Sequence, residues 1–413
     1  MLRPFFTGAE LPVLQTDTGR PQCGACGFYK QCKSPKLSVA GRGRKKILVV
    51  SAFPGADEDK AGKWEAGECS NTLRTAMSRA GADLDRDCWL TGALICKPGK
   101  GTSPEAAVDY CRPNLVKTVA ALNPRVVVTL GSEAVMSLMG FLWRPGEGGA
   151  FRWRGFRIPN RQLNAWVVPT YHPGLLLRER DPVFDQMFAA DLKTAVGFRE
   201  RPYTDPPAAD MGDQVWITKD PTEAAAEVGA LHRKSLRDDR PVAFDFETTC
   251  LKPDGGWSRM VTCAVSDGQT TLAYPWGKET KAATKALLED RRVRKVGANA
   301  KFEDRYCRRN GITVRGWWWD VNLAAHAIDN ASKIRSVTPV DFQAVARLGV
   351  RGWDGGVHPF LVTPKDSGGY AVNQIHTIDI VKVLRYNGLD ALYEMLICHD
   401  QRKQLGLDPE RDG

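Results

Sequence analysis

Asp245 and Glu247, two residues apart in Val242-Ala243-Phe244-Asp245-Phe246-Glu247, are the first side chains in this sequence whose spacing suggests chemistry. In a strand, side chains repeat every two residues, so both carboxylates face one side and Phe244 and Phe246 the other. Two such charges repel each other, and a divalent cation neutralises both. Tyr386 and Asp390 are four residues apart in an apolar segment, the spacing that puts two side chains on one helix face. A phenol and a carboxylate so placed can approach one reacting phosphate. Glu303 closes the run Gly297-Ala298-Asn299-Ala300-Lys301-Phe302-Glu303 and is followed by Asp304. Acids here either join the others or simply start a helix, where the N-terminal dipole favours them. The first half offers thiols: Cys23-Gly24-Ala25-Cys26 is a Cys-x2-Cys pair, and Cys96 and Cys111 form a second, wider pair. Four thiolates can close either a tetrahedral zinc site or a [4Fe–4S] cluster, and spacing does not choose between them.

These residues need elements to hold them. A chain of 413 residues exceeds one comfortable core, so two domains are expected. The stretch Arg199 to Asp213, with Pro202, Pro206 and Pro207 among charges and small residues, has linker composition. The boundaries are therefore 1–198, a linker at 199–213, and 214–413. Upstream, apolar runs at Ile47–Ser51, Trp89–Leu94, Arg125–Leu130 and Trp166–Thr170 alternate with helical segments. This pattern predicts α/β with a doubly wound, mainly parallel sheet. Downstream, Pro241–Thr248, Met260–Ser266 and Thr271–Trp276 are strands, followed by mostly helical sequence from Lys301, a mixed α+β pattern.

Lys and Arg exceed Asp and Glu by 58 to 48, a net charge of +10, which suits a partner rich in phosphates. No run of 18 apolar residues lacks charge, which argues against a membrane helix and a membrane partner. The N-terminus lacks the pattern of a secretory signal, so a reducing cytoplasm is expected, with eleven cysteines available as metal ligands or buried thiols.

From Val215 onward the sequence resembles the proofreading exonuclease domain of family-A DNA polymerases, within the DnaQ-like group of DEDD exonucleases. Phe-Asp-Phe-Glu-Thr around Asp245 and Glu247 matches the first motif, Asn299 to Glu303 the second, and Tyr386-Asn387-Gly388-Leu389-Asp390 the third. The second motif usually ends in Asp, where this chain has Glu303. The resemblance implies an RNase H-like fold and 3′–5′ exonuclease activity with two Mg²⁺ or Mn²⁺ ions. Asp245, Glu247 and Asp390 would ligate them, Glu303 would act mostly through water, and Tyr386 would orient the attacking water. Asn299 and Lys301 would position the terminal nucleotide of a single-stranded 3′ end. Asp320 is read as a helix cap.

Cys23 to Arg178 resembles the iron–sulfur, family-4 uracil-DNA glycosylases. The resemblance rests on the Cys-x2-Cys pair, on Ser51-Ala52-Phe53-Pro54-Gly55-Ala56-Asp57-Glu58-Asp59, on Cys96-Lys97-Pro98 through Cys111-Arg112-Pro113, on Leu130-Gly131, and on Pro169-Thr170-Tyr171-His172-Pro173. It implies that Cys23, Cys26, Cys96 and Cys111 hold a [4Fe–4S] cluster, with Zn²⁺ the alternative. The pattern breaks at the base pocket: Ala52 replaces a Glu, Glu65 stands near the stacking aromatic, and Gly92 replaces an Asn. A flipped base must be stacked and hydrogen-bonded to offset its unstacking, so uracil excision is expected to be absent. Trp64 is a substitute for the stacking group if the alignment shifts by one. His172, Arg152 and Arg154 are candidate DNA contacts, the arginines interleaved with Trp143, Phe151, Trp153 and Phe156; packing of these aromatics onto their own domain is the rival reading. The expectation is a replication exonuclease, partnered by DNA and a separate polymerase subunit, suited to a phage or bacterial genome. The alternatives are a repair enzyme with an active glycosylase, or a non-catalytic scaffold.

Overall fold

The computed structural model describes residues 19–64, 66–204, 211–329, 335–350, 352–353, 356–363 and 370–411. Glu65 and residues 205–210 of the expected linker, including Pro206 and Pro207, lie outside them. The chain divides into two compact units, one ending at Ala208 and the other beginning at Ala209, with Val345–Arg351 grouped with the first.

In the first unit five strands, β1 (Ile47–Ser51), β2 (Cys88–Gly92), β3 (Val126–Leu130), β4 (Ile158–Asn160) and β5 (Ala165–Thr170), form one sheet in the order β2-β1-β3-β5-β4. All pairings are parallel except β4 with β5. β1 and β3 are buried at every position, as expected where helices cover both faces of a parallel sheet. The helices include α1 (Pro104–Leu122), α2 (Ser132–Leu142) and α3 (Pro182–Gly197). β4 escaped the sequence reading because three residues carry too little pattern. The first residues of the expected linker, 199–203, hydrogen-bond to this unit. The Arg201 guanidinium donates to the Asn164 carbonyl at 2.8 Å and to Asn123 Oδ1 at 2.7 Å, satisfying oxygens at two left-handed corners, Asn123 and Asn164.

The second unit contains β6 (Val215–Ile217), β7 (Val242–Thr248), β8 (Met260–Ser266), β9 (Thr271–Pro275), β10 (Lys295–Gly297) and β11 (Trp317–Asp320), in the order β11-β10-β7-β8-β9-β6. β8 runs antiparallel to β7 and β9, and the other pairings are parallel. Counting from β7, the core order is 3-2-1-4-5, the mixed sheet of an RNase H-like fold. One face carries Phe244 and Phe246 into a core with Leu231 of α4 (Pro221–Asp238), Leu287 and Leu288 of α5 (Lys278–Glu289), and Tyr306 of α6 (Ala300–Arg309). A further helix, α7 (Val321–Ile328), starts directly after β11, capped by Asp320 through Asn322 N–H and Leu323 N–H. The long helix α8 (Ile380–Gln404) packs against β7, β8 and β9. Its approach is close: a Cβ on Gly388 would lie 2.2 Å from Val215 Cγ1, so this helix position accepts no side chain.

Candidate active site

The antiparallel pairing of β7 sets Asp245 opposite Ala264 and Glu247 opposite Thr262, small neighbours that leave the two carboxylates room. α8 brings Asp390 to the same place. One carboxylate oxygen from each of Asp245, Glu247 and Asp390 lies within 4.8 Å of the others, although 145 residues of sequence separate the first from the last. Asn387 Nδ2 donates to Asp245 Oδ2 at 2.6 Å, and Trp353 Nε1 to Asp390 Oδ1 at 3.0 Å. Tyr386 lies one turn before Asp390 on α8, and burial with the nearby charges of Asp390, Glu247 and Asp245 raises its pKa well above the usual value.

Glu303, on α6, is 2 % exposed and its Oε2 has no hydrogen-bond partner among the described residues. Asn299 begins α6 in the left-handed conformation, φ 59°, and Asp320 Oδ2 accepts the following Ala300 N–H at 2.8 Å. Asp320 therefore caps α6 as well as α7 and stays outside the acidic group, as the cap reading expected. Lys301 is exposed on α6.

Burial governs the electrostatics of these acids. It pushes Asp245 up to about 7, with the Asn387 hydrogen bond opposing the shift. Glu247 is raised well above the carboxylate range, first by burial and then by the charges of Asp245 and Asp390. Glu303 and Asp390 are raised in the same way, Glu303 by burial, Asp245 and Glu247, and Asp390 by burial and Asp245. Buried carboxylates that repel one another form a strong electrostatic site for cations with hard oxygen preferences. Sequence reasoning missed three side chains here: Asn387, Trp353 and Glu394. Asn387 and Glu394 lie on the turns of α8 beside Asp390, where helix spacing was a usable signal. Trp353 carried none.

In the first unit, Cys23 and Cys26 stand on a single helical turn closed by left-handed Gly27, Cys96 follows β2, and Cys111 lies on α1. All four line one cavity with Phe28, Tyr29 and Leu94. Lys36 N–H donates to Cys96 Sγ at 3.2 Å and Asn114 Nδ2 to Cys111 Sγ at 3.4 Å. Burial pushes the Cys96 thiol up to about 11. No three of these sulfurs gather as tightly as the carboxylate group does among the described residues.

The base pocket shows where its expected polar groups are missing. Trp64 is 2 % exposed, and its ring fills the space above Gly92, where an added Cβ would come within 2.3 Å. His172 lies in a cavity with Ala52, Phe53, Gly131 and Arg178. Its Nδ1 accepts Gly174 N–H at 3.0 Å, so Nε2 carries the proton toward Ser51 Oγ at 3.1 Å. Burial, reinforced by Arg178, pushes its pKa down to about 4, so the ring is neutral at physiological pH. Arg152 pairs with Glu147, Arg154 lies 3.7 Å from Asp191, and Trp153 is fully buried. The structure thus engages both arginines within their own fold, the packing arrangement, and leaves Phe151 as an exposed aromatic of that segment.

Residues 40–194 match the family model of the uracil DNA glycosylase superfamily. A type-4 uracil-DNA glycosylase of Pyrobaculum aerophilum is 30 % identical over 181 residues, 42 % of this chain and 88 % of that protein. The chain belongs to the uracil-DNA glycosylase superfamily. The glycosylase-like unit is also similar to a type-4 uracil-DNA glycosylase of Thermotoga maritima, 26 % identical over 200 residues, 47 % of this chain and 97 % of that one. For the second unit, a solved structure of RNase D from Trypanosoma brucei in complex with GMP aligns with a TM-score of 0.35 and 17 % identity, covering 47 % of this chain and 59 % of its own. Among the described residues, no helix is long and apolar enough to cross a membrane.

Proposed function

We propose that this protein is a metal-dependent 3′–5′ DNA exonuclease whose catalytic domain spans residues 214–413. It follows a glycosylase-like domain, residues 1–198, and a connecting segment, 199–213. The observation that carries the reading is the convergence of Asp245, Glu247 and Asp390 within 4.8 Å, beside the unpartnered Oε2 of buried Glu303.

The donor set fits Mg²⁺ or Mn²⁺: it is all hard oxygen, and Asp245, Glu247, Glu303 and Asp390 would hold a pair of such ions. When bound, the pair activates water and relieves charge on the leaving 3′ oxygen. The chain's own contribution is positional. Asn387 fixes the Asp245 carboxylate, Trp353 fixes that of Asp390, and the Tyr386 hydroxyl would orient the attacking water. Asn299 and Lys301, at the start of α6, would meet the terminal nucleotide of a single-stranded 3′ end.

The same reading assigns the four-cysteine site a [4Fe–4S] cluster. The support is that Cys23, Cys26, Cys96 and Cys111 line one cavity, an all-sulfur donor set of the kind such a cluster takes; Zn²⁺ is the alternative. The glycosylase-like domain is proposed to bind DNA or a replication partner without excising uracil, because Ala52 and Gly92 offer a base no polar contacts and Trp64 fills the space over Gly92. It would act with a separate polymerase subunit in the cytoplasm of a bacterium or a phage host. The direct test is release of nucleotides from single-stranded DNA with Mg²⁺. Activity should vanish on chelation and in Asp390→Asn; persistence in either case refutes the assignment. Release of uracil by the wild type would favour a repair enzyme instead.

A further inference from the structure

We infer that Glu394 is a fifth carboxylate of the acidic centre and that, together with Glu303, it ligates one of two divalent cations. The inference rests on the exonuclease reading above and replaces an indirect, water-mediated role for Glu303 with a direct one.

Glu394 follows Asp390 by four residues on α8, so the two acids occupy one helix face a turn apart. Its side chain is 2 % exposed. Its Oε2 is buried with no hydrogen-bond partner among the described residues. Glu303 is in the same condition, 2 % exposed with an unpartnered Oε2. Each feels the charge of Asp245, and Glu394 feels that of Glu303 and Asp390 as well.

Left-handed Asn299, directly after β10, starts the helix that carries Glu303, and α8, which carries Glu394, packs against β7 and β10. A buried carboxylate with a free oxygen is expensive unless a cation or a donor meets it, and an apolar residue would fill this position on α8 at lower cost. Two such oxygens beside a three-carboxylate cluster mark a second ligand set. Asp245, Glu247 and Asp390 serve one ion; Glu303 and Glu394, near Asp245, serve the other. Five carboxylates against two divalent ions also bring the charge of the centre close to neutrality.

The test counts Mn²⁺ bound to the full chain by electron paramagnetic resonance after removal of divalent ions, for wild type and Glu394→Gln. Gln keeps the size of the side chain and one of its two oxygens. Wild type should bind two ions, and the variant should lose one or bind it at least about tenfold more weakly, with a metal-free melting temperature no lower than wild type. Two ions bound with unchanged affinity by the variant would overturn the inference while leaving the exonuclease reading intact, provided wild-type protein still shortens 3′ ends. A wild type that neither binds Mn²⁺ nor shortens 3′ ends would remove the exonuclease reading itself. Should Glu394→Gln fail to fold, anomalous scattering from Mn²⁺ in wild-type crystals decides: an ion ligated by Glu394 Oε2 supports the inference, and ions ligated only by other residues overturn it.

Discussion

The side-chain amide of Asn387 donates to Asp245 Oδ2 at 2.6 Å, joining two acidic motifs separated by 142 residues. This bond orients one acid of the cluster from the strand by means of the helix that supplies another. Asn387 is fully buried, so in the proposed exonuclease it would act through Asp245 and not by touching substrate.

Asn387→Ala should therefore keep the fold and lower the Mg²⁺-dependent rate about 10- to 100-fold, the usual cost of losing a residue that orients a metal ligand. Raising the Mg²⁺ concentration should recover part of the loss. Rates measured across a Mg²⁺ titration check this; a rate equal to wild type at every concentration would contradict it.

Gly388 sets how near α8 lies to the sheet. Gly388→Val should cost about 1–3 kcal/mol through overpacking against Val215 and Ala273, lowering the denaturant midpoint. It should also reduce nuclease activity by displacing Asp390 from the β7 pair. An unchanged midpoint would show that the helix has room to spare.

Acid titration offers a third check. Because the Asp245 pKa in the folded protein is raised to about 7, the folded state holds its proton more tightly than the unfolded chain. The associated stability is complete below about pH 4, the unfolded value, and is lost as pH rises through about 7. Without divalent ions, wild type should lose stability relative to Asp245→Asn over that window, by on the order of 4 kcal/mol at most. Chemical unfolding at pH 5 and pH 8 measures the difference; parallel behaviour of the two proteins would contradict the burial argument.

The pocket of the glycosylase-like unit gives a fourth prediction. Gly92→Asn, which supplies the missing amide, should not restore uracil release, because the new Cβ meets the Trp64 ring at 2.3 Å and the Leu94 carbonyl at 2.6 Å. The variant should instead melt below wild type. A uracil-release assay and a melting curve on the same sample settle both parts.

Much of this architecture was legible in the residues. Continuous apolar runs such as Ile47–Ser51 marked buried parallel strands, and the alternation around Asp245 and Glu247 placed both acids on one face. Short strands such as Val215–Ile217 and Lys295–Gly297 were not, since three residues carry no period and are held by their neighbours in the sheet. The inward turn of Arg152 and Arg154 toward Glu147 and Asp191 was equally hidden, because ion pairing across a fold leaves no mark in local spacing. Glu394 was open to discovery through its four-residue offset from Asp390, but its significance depends on burial, which only packing determines.

The most direct measurement follows a 5′-labelled single strand of DNA in Mg²⁺ with wild type and Asp245→Ala side by side. The geometry predicts progressive shortening from the 3′ end by the wild type and an intact strand with the variant. Equal degradation by both proteins, or no degradation by either, would contradict the role given to the clustered carboxylates.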